Sequence, residues 1–304
     1  MTTPAGPPPA FRGLSAFPIT PMGDGGVDER AYDRLVRRLA AAGVDGIGAL
    51  GSTGLYPYLT REERRRAATV AVRAAGDVPV LVGVGALRTD DVLRHAHDAG
   101  EAGAAGLLLA PVSYQRLRDD EVLDLYASVT REVPVPLCVY DNPGTTGFAF
   151  GDELLGRVAA LPGVVAVKVP GPQPQDAPQR IAAVRSLLPP HVTLGVSGDE
   201  LAAAGLNAGA DGFFSVVGGI LPEHALRIVR AAQRGDHGGA LAASEALRPV
   251  WRLMRAWGSL RVVATAAELL DLVAAPTLPL PLRGLPPEPR EQLGRVLAVL
   301  GARP

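Results

Sequence analysis

The sequence predicts a (β/α)8 barrel, eight parallel strands ringed by helices, on three observations. Short apolar runs alternate with amphipathic stretches eight times within about 225 of the 304 residues, the span such a barrel needs. The runs are rich in valine and leucine without polar alternation, which suits parallel strands buried on both faces. No Gly-x-Gly-x-x-Gly turn follows the first run, which counts against the rival, a doubly wound open sheet.

The predicted strands cover residues 13–17, 46–50, 78–84, 105–109, 135–140, 164–169, 192–196 and 212–216. The first helix, 28–42, sets Tyr32, Leu35, Val36 and Leu39 on one face and stops at Gly43. The second, 60–75, opens with Thr60 and Glu63 spaced as a capping box, so the arginine-rich run 61–66 reads as its solvated first turns. Further helices are expected at 89–102, 119–131, 151–161, 176–188, 199–208 and 222–234. After residue 235 the strand signal ends, and 239–255, 259–273 and 287–300 read as three helices, the last two separated by the proline-rich stretch 276–289. The expected organisation is therefore a Pro/Gly-rich disordered tail (1–10), a barrel (11–234) and a small helical domain (235–304). Trp251, Met254 and Trp257 are expected to serve packing or subunit contact in that last part.

Composition narrows the function classes. The chain is 47% hydrophobic and 20% charged with a net charge of −1, and no basic patch interleaved with aromatics suggests a nucleic-acid partner. Its apolar runs fall far short of the ~20 residues of a membrane-spanning helix. The start lacks the basic and apolar segments of a signal peptide, and the single cysteine, Cys138, cannot form an intrachain disulfide, so the cytoplasm is the expected location. Of the five histidines, His95 and His97 diverge on one helix, and no metal-ligand cluster emerges. A phosphate cradle at Gly218-Gly219 is conceivable, though the pair fits a plain turn equally well.

Lys168 is the only lysine; arginine supplies the other 29 of the 30 basic side chains. Arginine serves wherever a fixed charge suffices, but only lysine can lose its proton near neutrality and attack a carbonyl. Lys168 lies in Gly163-Val-Val-Ala-Val-Lys-Val-Pro170, where desolvation should lower its pKa, although a surface lysine at a strand end also fits. At the expected barrel mouth it is joined by Tyr140, which ends one strand, and by Gly51-Ser-Thr-Gly54, whose N–H groups and hydroxyls suit a carboxylate or phosphate. Taken singly, Tyr140 fits a snorkelling core residue and the glycine turn a tight bend. Their coincidence with the lone lysine favours chemistry.

The stretches Gly51-Ser-Thr-Gly-Leu-Tyr-Pro-Tyr-Leu-Thr-Arg-Glu-Glu-Arg64 and Tyr140-Asp-Asn-Pro-Gly-Thr-Thr-Gly147 through Lys168 resemble the two signatures of the dihydrodipicolinate synthase / N-acetylneuraminate lyase family. Ala16-Phe-Pro-Ile-Thr-Pro21 and Ser197-Gly-Asp-Glu200 look like further family elements in the right order, and the similarity spans about residues 11 to 300. The resemblance implies a class I aldolase or lyase acting on pyruvate or a related 2-oxo acid together with an aldehyde. It also implies no metal or organic cofactor, and a homotetramer or another homo-oligomer. It makes Lys168 the Schiff-base amine and Tyr140 the general acid/base. Ser52 and Thr53 would hold the 2-oxo carboxylate, with Ser52 also touching Tyr140, and the backbone at Phe214 and Ser215 would line the pocket.

Three positions depart from the family pattern. Leu55 replaces a common glutamate. Thr145 stands where true dihydrodipicolinate synthases carry the arginine that grips the aldehyde's carboxylate. Ser113, in Pro111-Val-Ser-Tyr114, takes the place of the tyrosine those enzymes insert across a subunit interface. Loss of the bidentate clamp should weaken recognition of aspartate semialdehyde and leaves the aldehyde partner open. Asp199 and Glu200 match a pair that contacts polyhydroxylated substrates in sialic acid lyases, and they equally suit the first turn of a helix. The expected activity is making or breaking a C–C bond between a 2-oxo acid and an aldehyde. The alternatives are a dehydratase of 2-oxo sugar acids using the same lysine and a non-catalytic 2-oxo-acid-binding relative.

Overall fold

The structure, a computed structural model, describes residues 11–23 and 25–303; the expected tail at 1–10 lies outside the described residues. In chain order, β1 (Gly13–Ala16) is followed by a short antiparallel pair, β2 (Met22–Gly23) and β3 (Gly26–Val27), then α1 (Glu29–Ala41) and β4 (Gly46–Ala49). Strand–helix alternation continues with α2 (Arg61–Ala75), β5 (Val80–Gly83), α3 (Thr89–Glu101), β6 (Gly106–Leu109), α4 (Asp119–Glu132) and β7 (Leu137–Tyr140). A single helical turn, α5 (Pro143–Thr146), precedes α6 (Asp152–Ala159), β8 (Val164–Pro170), α7 (Ala177–Leu187) and β9 (Thr193–Ser197). Then come α8 (Ala202–Asn207), β10 (Gly212–Ser215) and α9 (Pro222–Gln233). Four helices complete the described chain: α10 (His237–Glu245), α11 (Arg248–Trp257), α12 (Ser259–Leu269) and α13 (Pro287–Val299).

Eight parallel strands close into a barrel in the order β1-β10-β9-β8-β7-β6-β5-β4, so each strand lies beside its neighbour in sequence, as the alternation predicts. The capping box forms: Thr60 Oγ1 accepts from the Glu63 amide at 3.3 Å, and the Glu63 carboxylate accepts from the Thr60 amide at 2.8 Å. Gly43, at φ +77°, ends α1 in the left-handed conformation that glycine adopts without strain. Phe11, Leu81, Leu108, Cys138, Ala166 and Phe214 are among the residues filling the barrel interior, while a larger apolar layer packs strands against helices. At the N-terminal face two carboxylates staple strands. Asp45 accepts from the Leu14 amide and Arg230, and Asp211 accepts from the Leu194 amide, Arg12 and Arg185. The opposite face is thus free for chemistry.

Local differences from the expected elements have clear causes. The helix expected at 239–255 is two, α10 and α11, because Pro249 cannot donate to the carbonyl four residues back and so begins a new helix instead. Residues 199–208 start with a 3-10 turn at Asp199–Leu201, because the Asp199 side chain is bound to the strand-end loop of β10. Gly218 and Gly219 sit in a buried 3-10 turn, with a Cβ at Gly219 falling 2.2 Å from the Phe17 carbonyl; this is a packing turn rather than an anion cradle. Among the described residues no helix is long and apolar enough to cross a membrane.

Candidate active site

The strand register creates the site. In the β7–β8 ladder Tyr140 pairs with Lys168, and across the β8–β9 ladder Lys168 pairs with Gly195. Alternation along β8 turns Ala166 and Lys168 to the same inward face, and Lys168 is only 4% exposed. Its Nζ lies 3.7 Å from the Tyr140 ring centroid, 4.3 Å from that of Phe17 and 5.4 Å from that of Phe214. The amine therefore stands among three aromatic rings at the C-terminal end of the barrel.

Glycines make room for those rings. A Cβ at Gly195 would fall 2.1 Å from Phe214, and at Gly48 2.3 Å from Phe17. A Cβ at Gly51 would lie 2.6 Å from the same Phe17 ring. Gly83 clears the Leu50 carbonyl, which a Cβ would meet at 1.8 Å. Leu50 (φ +54°) and Leu55 (φ +62°) bracket the Gly51–Gly54 turn in left-handed conformations that cost a branched residue of order 1 kcal/mol each. That strain shapes a turn facing the lysine. Thr20 Oγ1, donating to the Gly54 carbonyl at 2.8 Å, ties the turn to the segment after β1.

Burial governs the electrostatics. Desolvation pulls the Lys168 pKa from 10.5 down to about 7, against opposing pulls from Cys138 and Asp199. The π faces offer the ammonium form partial compensation, but loss of water wins. Near neutral pH a large share of the amine is thus free to act as a nucleophile. Tyr140 is pushed up to about 12, first by burial, while a hydrogen bond with Ser52 pulls it down. Its phenol is therefore protonated at rest. Asn142 Nδ2 donates to Ser52 Oγ at 3.2 Å, so the Ser52 hydroxyl proton remains available to the Tyr140 oxygen. Asn142 and Phe17 are functional neighbours that sequence reasoning did not single out, although both lie within the motif stretches it quoted.

Ser52, Thr53, Tyr140, Thr145 and Lys168 share the wall of one cavity of about 460 Å3, which Phe214 and Val216 also line. Ser215 is not part of that wall. Its hydroxyl turns away to donate to Asp199 Oδ1 at 2.7 Å. Asp199 also accepts from the Val217 amide at 2.7 Å and the Val216 amide at 3.2 Å, and burial raises its pKa. Asp199 does line the cavity, but its oxygens are engaged in holding the β10 loop. Glu200, its neighbour, is on the cavity rim and pairs with Arg255 of α11. Trp251 and Met254, expected to serve packing or subunit contact, reach the cavity from the same helix. Ser113 bonds the nearby Gln115 carbonyl and Tyr114 is 90% exposed, so neither approaches the lysine within this chain. Among the described residues no three His, Cys, Asp or Glu side chains converge as a metal site.

Comparison with known proteins agrees with this architecture. The profile of the dihydrodipicolinate synthetase family matches residues 10–300. A 4-hydroxy-tetrahydrodipicolinate synthase from Thermomicrobium roseum is 33% identical over 292 residues, 95% of this chain and 94% of the relative. A DapA-like lyase from Halobacterium salinarum is 33% identical over 87% of this chain and 86% of its own. The crystal structure of dihydrodipicolinate synthase from Agrobacterium tumefaciens superposes with a TM-score of 0.92 at 43% identity, covering 95% of this chain and 98% of that one. Matched along nearly its whole length, the chain belongs to the dihydrodipicolinate synthetase family, a family of class I aldolases, and is a lyase.

Proposed function

We propose that the protein joins pyruvate or a related 2-oxo acid to Lys168 as an imine and makes or breaks a C–C bond to an aldehyde. The observation that carries this reading is the buried Lys168 amine, with a pKa of about 7, set against the Tyr140 ring. The amine attacks the C2 carbonyl to give a carbinolamine, and loss of water leaves the iminium. The iminium acidifies C3, whose proton passes to the Tyr140 oxygen that gave up its own proton when the carbinolamine lost water, leaving an enamine whose C3 attacks the aldehyde carbon. The aldehyde oxygen takes up a proton, and water then hydrolyses the product iminium to free the lysine. Tyr140, protonated at rest, is suited to donate the protons that carbinolamine and alkoxide require and to recover them through Ser52. Ser52, Thr53 and their turn amides are suited to the 2-oxo carboxylate, while Phe214 and Thr145 border the space left for the aldehyde. Glu200 offers a carboxylate at the rim and Asp199 lines the wall beside it, while Ser215, bonded to Asp199, holds the loop behind them.

The barrel at 11–234 would carry this chemistry, with residues 235–304 forming a helical domain that closes one side of the mouth. Assembly into a homo-oligomer would cover Tyr114 and Leu280, which are 90% and 77% exposed. A single buried cysteine suits a cytoplasmic enzyme. The test is borohydride reduction in the presence of pyruvate followed by peptide mass mapping. A reduced pyruvyl adduct on Lys168 is expected, and Lys168→Arg should fold but form none, because a guanidinium stays protonated. No adduct on the wild-type protein at millimolar pyruvate would favour a non-catalytic binding role.

A further inference from the structure

We propose that Arg255 determines specificity for the second substrate, gripping a carboxylate at the far end of the aldehyde; this rests on the imine reading above. The chain carries 29 arginines among its 30 basic side chains, yet among the described residues Arg255 is the one that lines the cavity of Lys168. Lys168 is the only other cationic side chain there, and its amine is consumed by the imine. The loop after β7 supplies no cation. Thr145 is neutral, Thr146 folds back onto the Asn142 and Phe148 carbonyls, and Asn142 is held by Ser52. Recognition of an anionic aldehyde therefore falls to the C-terminal helices.

The placement of Arg255 is built rather than incidental. Trp251, Met254 and Arg255 recur at three- and four-residue spacing, so one face of α11 looks into the cavity. That face is anchored by Trp251, which is 3% exposed and whose Nε1 donates to the Ser244 carbonyl at 3.0 Å. The Arg255 side chain itself is 55% exposed and therefore free to swing. Glu200 parks the guanidinium over the mouth from the turn that Asp199 fixes in place. A substrate carboxylate offers the same planar pair of acceptor oxygens and would displace or share that partner in bidentate geometry.

The test compares wild type, Arg255→Met and Glu200→Gln in pyruvate condensation with two aldehydes of equal length, succinic semialdehyde and butanal. Wild type should favour the carboxylated aldehyde. In Arg255→Met the ratio of kcat/KM for succinic semialdehyde to butanal should fall about 10–100-fold, as expected on losing a charge-assisted pair, chiefly through KM. Glu200→Gln should raise the same ratio, because the competing anion is gone. Borohydride trapping of pyruvate on wild-type Lys168 is scored in parallel. Its absence would remove the imine reading, whereas trapping with an unchanged ratio in Arg255→Met would overturn the assignment of Arg255 alone.

Discussion

Asn142 decides which way a proton can leave Tyr140. Its amide occupies one acceptor site on Ser52 at 3.2 Å, which leaves the serine hydrogen free to turn toward the phenol oxygen and stabilise the phenolate when it forms. Burial, helped by the nearby Asp199, Cys138 and Asp141, holds the phenol pKa at about 12 even though the Ser52 hydrogen bond pulls it down, so the phenol serves first as an acid and acts as a base only after it has given its proton away. Removal of the hydroxyl in Tyr140→Phe leaves the amine and its apolar surroundings intact. Borohydride trapping on Lys168 should then continue, though more slowly, while turnover falls about 10²–10⁴-fold, the usual worth of a general acid/base. Steady-state turnover beside trapping yield checks this; wild-type turnover in the phenylalanine variant would remove the phenol from the mechanism.

At the scale of elements, the chain shows which features were legible in its sequence and which depended on folding. Alternation of apolar strands with amphipathic helices sufficed for the barrel, because parallel strands buried on both faces leave an uninterrupted apolar signature, as in Gly106 to Leu109. Lys168 and Tyr140 were legible as chemistry at strand ends, but their adjacency arises from the β7–β8 register, which no local pattern encodes. The two-residue strands of the β2–β3 hairpin are too short to leave a periodic signal. The entry of α11 into the site was equally hidden, since Trp251 and Met254 have the look of ordinary packing residues until α11 is placed over the mouth. Gly195 illustrates the same point: in sequence it weakens a strand, yet in the barrel it leaves the space that Phe214 fills beside the amine. Gly195→Ala would force that ring aside, and overpacking of this kind costs about 1–3 kcal/mol. A lower urea midpoint together with slower imine trapping is the expected outcome; unchanged stability would show that the ring can yield without consequence.

For the molecule as a whole, a closed barrel stapled at its N-terminal face by Asp45 and Asp211 can tolerate a destabilised group at the other end. Lys168 is such a group. Its pKa falls from 10.5 to about 7 on folding, so between those pH values the unfolded chain binds the proton more tightly, and stability rises with pH across that window. The cost is complete below about pH 7 and gone above the unfolded value. With each tenfold change in acidity worth about 1.4 kcal/mol, it amounts to roughly 5 kcal/mol at low pH. Lys168→Met keeps a flexible chain of similar length and gives its sulfur the faces of Phe17, Tyr140 and Phe214. The inactive methionine variant should therefore melt several degrees higher than the wild type at pH 6, with the gap narrowing toward pH 10, since titrating groups remote from the lysine cancel in the comparison. Thermal melts of both proteins at matched concentration across that range decide it. A methionine variant that melts lower at pH 6, or a gap that does not shrink as pH rises, would mean that the amine is not held at the expense of the fold.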